Sequence, residues 1–188
     1  MTALVLRPWR DNDAPALMAA AGDPALHRWT SLRVEHRDEA TAWLTAQHDG
    51  WVTGNRYSFA IVDEQDTVLG HVALKSPGAP ATEAEVGYWT AAHARGRGVA
   101  PRAVKIITGW AFTTFPHLRR LRLLHQVDNT ASCRVAVKSG YAYEQTLAAE
   151  HPYPREGHLH VHPHPALLRR SGGAATGQPS PRRRRPRR

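Results

Sequence analysis

The run Glu85 to Ala100, E-V-G-Y-W-T-A-A-H-A-R-G-R-G-V-A, gathers residue types that can hold a phosphate. Gly96 and Gly98 alternate with Arg95 and Arg97. Val99, Ala103, Ile106, Ile107 and Trp110 follow at the three-and-four spacing of one buried helix face. The first turn of a helix leaves backbone N–H groups without partners, and glycines just ahead of it let the main chain curl those donors around an anion. Pro101 gives up an N–H that no helical carbonyl could have used. Arg95 and Arg97 add charge where a pyrophosphate would lie. An isolated G-x-G is as readily a plain turn with solvated arginines. Here, however, the extended segment Glu83 to Trp89 feeds it, giving a strand, a glycine-rich turn and a helix in succession.

A second block lies further on: Asn129, Thr130, Ala131, Ser132, then Val135, Ala136, Lys138, Gly140 and Tyr141. With R-x-x-G-x-A at Arg95, Gly98 and Ala100, the first block resembles the acetyl-CoA signature of the GNAT N-acetyltransferases. The second resembles the N-x-x-S…V-A-x-K-x-G-[FY] run of their RimJ/RimL-like branch, which acetylates N-terminal amines of ribosomal proteins. Two blocks in this order are more specific than either alone. The resemblance implies acetyl-CoA as cosubstrate, no metal, and direct attack by a primary amine in a ternary complex. It assigns the pantetheine edge to Val86, Gly87, Tyr88, Trp89 and Thr90, and the diphosphate to Arg95, Gly96, Arg97, Gly98, Val99 and Ala100. Asn129 bonds the pantetheine or caps a helix, and Ser132 lies beside the thioester.

Acetyl transfer from a thioester needs a neutral amine, a donor for the carbonyl oxygen and a proton for the departing thiolate. A strand N–H from Trp89 or Thr90 is the expected carbonyl donor. Ser132 is the proton donor that the family pattern implies, with Tyr141 and Tyr143 as rivals; the plainer role for Ser132 is a first-turn residue bonded to backbone. Two carboxylates compete as base: Glu85 on the cofactor strand, and Glu150, beside His151, where the family's usual short hairpin is replaced by Ala148 to Gly157. The choice stays open. An α-amine has a pKa near ~8 against ~10.4 for lysine, so no strong base is obligatory.

Around these residues the periodicities give an α+β chain, and the GNAT resemblance implies a mixed, mostly antiparallel sheet of about six to seven strands flanked by about four helices. Strands are expected at Ala3 to Trp9, Tyr57 to Val62, Val68 to Lys75, Glu83 to Trp89, Leu118 to Val127, Tyr141 to Leu147 and His158 to His162. Helices are expected after an Asp13 cap, over about Asp38 to Trp51, from Val99 to Phe115, and after Asp128 or Asn129. In the family the early helices border the acceptor pocket, so His27, Arg28 and Trp29 are the candidate substrate contacts, against ordinary readings of Trp29 as packing and His27 as surface. His158, His160, His162 and His164 alternate and would share one strand face. A metal is not expected there, because zinc sites gather ligands from several elements, so these residues read as a polar outer face.

At 188 residues with 41% apolar composition, the chain suits one domain, residues 1–168, followed by a tail, 169–188. The net charge of +9 belongs to that tail: it holds eight arginines and no acid, and without them 17 basic residues face 16 acidic ones. Ser171 to Pro181 reads as a disordered linker, and the arginine block beyond it could touch RNA or a ribosome by charge alone. Lone Cys133, no export signal and no apolar run long enough for a bilayer suggest a cytoplasmic protein without membrane contact, monomer or homodimer. The competing reading is a catalytically silent GNAT-like module that binds CoA and reaches nucleic acid through its tail.

Overall fold

The computed structural model describes residues 3–150 and 155–167. His151, the proposed linker and the arginine tail lie outside them. The strands are β1 (Val5–Pro8), β2 (Arg56–Val62), β3 (Val68–Lys75), β4 (Glu83–Thr90), β5 (Arg120–Gln126), β6 (Ala142–Leu147) and β7 (Gly157–Pro163). The helices are α1 (Ala14–Ala21), α2 (Pro24–Trp29), α3 (Arg37–Thr53), α4 (Val99–Thr114) and α5 (Thr130–Lys138). The sheet order is β1-β2-β3-β4-β5-β7-β6, and β4 with β5 is its parallel pair. This is the expected α+β sheet.

Alternation along the strands divides the core in two. Phe59, Ile61, Val72, Leu74, Ala84 and Val86 pack with α4, β5 and Tyr141 on one face. Ala60, Val62, Val68 and Trp89 pack with α1, α2 and α3 on the other. In α4 the buried stripe runs through Val99, Ala103, Val104, Ile107, Ala111 and Phe112, while Ile106, expected inside, is 44% exposed at its border.

Two local expectations change. Asp13 does precede α1, but its side chain does not cap that helix. It accepts from both terminal nitrogens of Arg7, at 2.7 and 2.8 Å, because a guanidinium buried under β1 has a stronger claim on a carboxylate than a helix N–H has. The histidines of β7 do not form an exposed polar face. That strand lies between β5 and β6, and His160 is 1% exposed.

His71 on β3 is also buried, among Trp9, Trp43 and Trp89. The Trp9 indole N–H donates to its Nδ1 at 3.0 Å, and burial holds the ring well below the ordinary imidazole value of 6.5. The unfolded chain would take up a proton near that value and the folded one would not. Stability is therefore full above the unfolded pKa and falls as pH drops below it, by up to about 1.4 kcal/mol per pH unit. Urea midpoints measured from pH 7.5 down to 5 should show this slope, and His71→Gln should flatten it by about one proton's worth.

Candidate active site

The parallel ladder between β4 and β5 is short: Glu83 pairs with Arg120, Ala84 with Leu121 and Glu85 with Arg122. Beyond Glu85 the strands part. The remaining length of β4 stays registered on β3, from Val86↔Leu74 to Thr90↔Gly70, and the remaining length of β5 on β7. A wedge opens between them with main-chain groups along its walls.

The N–H groups that face the wedge follow from the ladder's phase. The Ala91 amide donates to Leu69 at 2.9 Å, so the hydrogen-bonded pairs of β3 and β4 fall on Trp89/His71 and Gly87/Ala73. The donation from Arg120 to the Thr82 carbonyl on the other side gives the same alternation. Tyr88 and Thr90 thus turn their amides toward the wedge and Trp89 turns its amide toward β3. Of the two expected carbonyl donors, this geometry retains Thr90 and removes Trp89, whose ring packs against His71 on the α1–α3 face.

The same alternation carries the Tyr88 side chain to the face of α4 and α5. There its hydroxyl meets the Ser132 hydroxyl at 2.7 Å, with Ser132 9% exposed. Ser132 is held in the first turn of α5, where its N–H donates to the Asn129 side chain at 3.0 Å, so Asn129 acts as the cap. Burial pushes the Tyr88 phenol up to about 12, against the lowering effect of Ser132, so it keeps its proton at neutral pH. Tyr88 was expected only as a cofactor contact. Strand periodicity alone could have placed it beside Val86 and opposite Glu85.

Other predicted residues sit elsewhere. The Tyr141 hydroxyl is locked on Thr108 at 2.8 Å inside the core, and burial raises its pKa further still. Tyr143 is 55% exposed and bonds Thr146. Glu85 lies on the α1–α3 face and pairs with Lys75 at 2.5 Å. Glu150 is exposed beyond β6, and among the described residues no hydrogen bond joins it to Ser132 or Tyr88.

At the wide end, Gly96 and Gly98 both have positive φ, 74° and 72°, and Gly98 opens α4. An added Cβ would meet nothing within 4 Å at either residue, so their glycine character serves backbone shape and access, not packing. A cavity of about 520 Å³ lies against that turn, lined among others by Arg97, Gly98, Val99, Arg102, Lys105 and Lys138. Four cationic side chains beside the free N–H groups of a helix start fit the phosphates of a coenzyme A-like molecule. Sequence reading missed Arg102 and Lys105, although their spacing from Gly98 places them on successive turns of one side, and it missed the charge of Lys138. Arg95 departs from expectation. It turns away from this cavity and pairs with Asp23, which also caps α2 through the Ala25 amide.

Helix α2 was not foreseen as a helix, and it carries the three acceptor candidates. His27 Nε2 is 2.5 Å from the Ala21 carbonyl. Arg28 lies over the Trp29 ring at 4.4 Å and reaches Asp128, on the loop before α5, at 3.1 Å. Arg28 therefore ties this helix to the Ser132 side of the wedge.

Behind Ser132, β5, α5 and β7 bring together His125, Cys133, His158 and His160, whose ligand atoms all lie within 4.8 Å of one another. Burial lowers the pKa of both His125 and His160, which keeps them neutral. His162 and His164 turn instead to Phe112.

A wedge in a mixed sheet, a cationic cavity at its mouth and a hydroxyl pair at its wall suit an acyl-CoA-dependent transferase. The family model "Acetyltransferase (GNAT) domain" matches residues 3–142, and the chain belongs to that family. Its reaction takes acetyl from acetyl-CoA to an amine and needs no metal. The same fold occurs in the RimL ribosomal L7/L12 α-N-protein acetyltransferase in complex with coenzyme A (TM-score 0.77, 18% identity, 87% of this chain and 95% of that one). It occurs in a ribosomal-protein-S5-alanine acetyltransferase from Vibrio fischeri (0.76, 18%, 88% and 95%). It also occurs in a spermidine N-acetyltransferase from Vibrio cholerae in complex with CoA and spermine (0.73, 18%, 88% and 98%). No curated protein sequence matches the chain.

Proposed function

We propose that this acetyltransferase acts on the α-amine of a protein or peptide, with Ser132 and Tyr88 supplying the leaving-group proton. The observation that carries the proposal is the 2.7 Å contact between the two hydroxyls at the wall of the wedge. The Thr90 amide polarises the thioester carbonyl from the β4 edge, where the pantetheine lies as an added strand over Val86 to Thr90. The turn from Gly96 to Ala100, with Arg97, Arg102, Lys105 and Lys138, holds the phosphates. As the C–N bond forms and the C–S bond breaks, Ser132 donates its proton to sulfur and recovers one from the neutral Tyr88 phenol; the proton shed by the attacking amine goes to solvent water, which in turn reprotonates Tyr88.

The acceptor approaches from the α1–α2 side, where His27, Arg28 and Trp29 border the opening. An α-amine is favoured because Glu85, the carboxylate on that face of the cofactor strand, is already committed to Lys75. A site with so little basicity to spare suits an amine that is partly neutral at pH 7, and a polyamine is less suited to it. The likeness to two ribosomal-protein acetyltransferases supports the same choice, and a cytoplasmic location accords with it.

Release of free CoA thiol should be measured with acetyl-CoA and a panel of peptides with free or blocked N-termini, free lysine side chains and polyamines. Turnover only with free N-termini is the expected result. Turnover confined to spermidine or spermine would move the acceptor class, and silence with every amine would remove the enzymatic reading.

A further inference from the structure

The histidines of β7 acquire partners that the sequence hides. His158 and His160 come from β7, His125 from β5 and Cys133 from α5, so the ligand atoms converge from three elements within 4.8 Å. His125 Nδ1 lies 2.8 Å from the Gln126 carbonyl, a contact that places its proton on Nδ1 and leaves the lone pair on Nε2. That Nε2 is buried with no hydrogen-bond partner, and so are His158 Nδ1 and both ring nitrogens of His160. The Tyr141 backbone lies near enough to affect His160 but completes no hydrogen bond with it. Buried polar atoms in a folded protein almost always have partners. One nitrogen from each of the three imidazoles joins the thiol in this cluster, while the second ring nitrogen of neutral His160 keeps its proton. Three converging lone pairs beside a thiol point to a missing partner that accepts lone pairs.

We propose that His125, Cys133, His158 and His160 bind a divalent transition-metal ion, with Zn²⁺ as the best match. Three imidazoles and one thiolate are a borderline-soft set that favours tetrahedral zinc, and four protein ligands close the site against substrate. In tetrahedral geometry the donor atoms would stand about 3.3–3.6 Å apart, so the cluster needs only a contraction of about 1 Å around the ion. The contact from His125 to a backbone carbonyl is the outer contact that orients a metal-bound imidazole. The ion takes no part in acetyl transfer. It fastens the first turn of α5, and with it Ser132, to the two strands beneath.

The test uses the full chain, stripped with a chelator and titrated with Co²⁺ and then Zn²⁺. Wild type should show the visible bands of four-coordinate cobalt and a near-ultraviolet thiolate-to-cobalt band, both displaced by one equivalent of Zn²⁺, and Zn²⁺ should raise its melting temperature. Cys133→Ser should lose the thiolate band, and His160→Asn should weaken cobalt binding at least about 100-fold. His160 is buried, so if His160→Asn fails to fold, His158→Asn, at a partly exposed position, serves as the second imidazole variant. Absence of cobalt bands in wild type, or bands and zinc stabilisation unchanged in Cys133→Ser, would overturn the proposal and leave ordered water as the partner of these nitrogens.

Discussion

Ser132→Ala should lower kcat by about 10²- to 10³-fold, within the range for loss of a positioned general acid, and leave the KM for acetyl-CoA nearly unchanged. The asymmetry follows from geometry. Ser132 stands beside the wedge wall, away from the cationic cavity at Arg97 and Lys105, and in the proposed reaction its proton is needed only as sulfur departs. A thiol has an ordinary pKa near ~8.5, so above that pH the thiolate leaves without help. The deficit of the variant should therefore shrink as pH rises through that region. Truncation also strands the Tyr88 hydroxyl in a buried place, which costs about 1–3 kcal/mol of stability. Tyr88→Phe in the same chain should restore much of that stability without restoring kcat, which separates a folding defect from a chemical one. A well-folded Ser132→Ala enzyme with wild-type kcat would reduce Ser132 to a first-turn residue of α5.

Gly98→Glu should weaken acetyl-CoA binding by about 100-fold, equivalent to ~2.7 kcal/mol. Two costs combine. Gly98 sits at φ 72°, where a side chain costs roughly 1–2 kcal/mol, and a carboxylate would project beside the helix start proposed to receive the phosphates. Gly98→Ala separates these contributions, because nothing lies within 4 Å of an added Cβ and only the backbone cost remains. Calorimetric titration of the three proteins with acetyl-CoA should rank wild type, alanine and glutamate in that order. Equal affinity for wild type and the glutamate variant would sink the assignment of this turn to the diphosphate.

Strand limits were legible where apolar alternation was strong: β3 runs from Val68 to Lys75 as read, and β2 begins one residue early, at Arg56. Helix α2 was not, because its six residues, beginning at Pro24, carry no periodic stripe to read. Positions along β4 were readable, but which main-chain groups face the wedge depends on a hydrogen-bond phase set by β3 and β5. Arg95 shows the limit of charge counting: its spacing suits a phosphate, but Asp23, seventy-two positions earlier, folds into reach and claims it. The histidine face of β7 was visible as a pattern. That β5 and α5 would bring His125 and Cys133 over it was not, since no local rule links residues so far apart in the chain.

The early end of the β4–β5 ladder bears on ancestry. If the cosubstrate is read by main-chain amides on the β4 edge, as proposed, that contact asks for backbone shape and makes little demand on the side chains there. The solved proteins that share this fold share fewer than one residue in five with the chain, at 18% identity. What a descendant must retain is the parting of two strands, and many sequences can encode that.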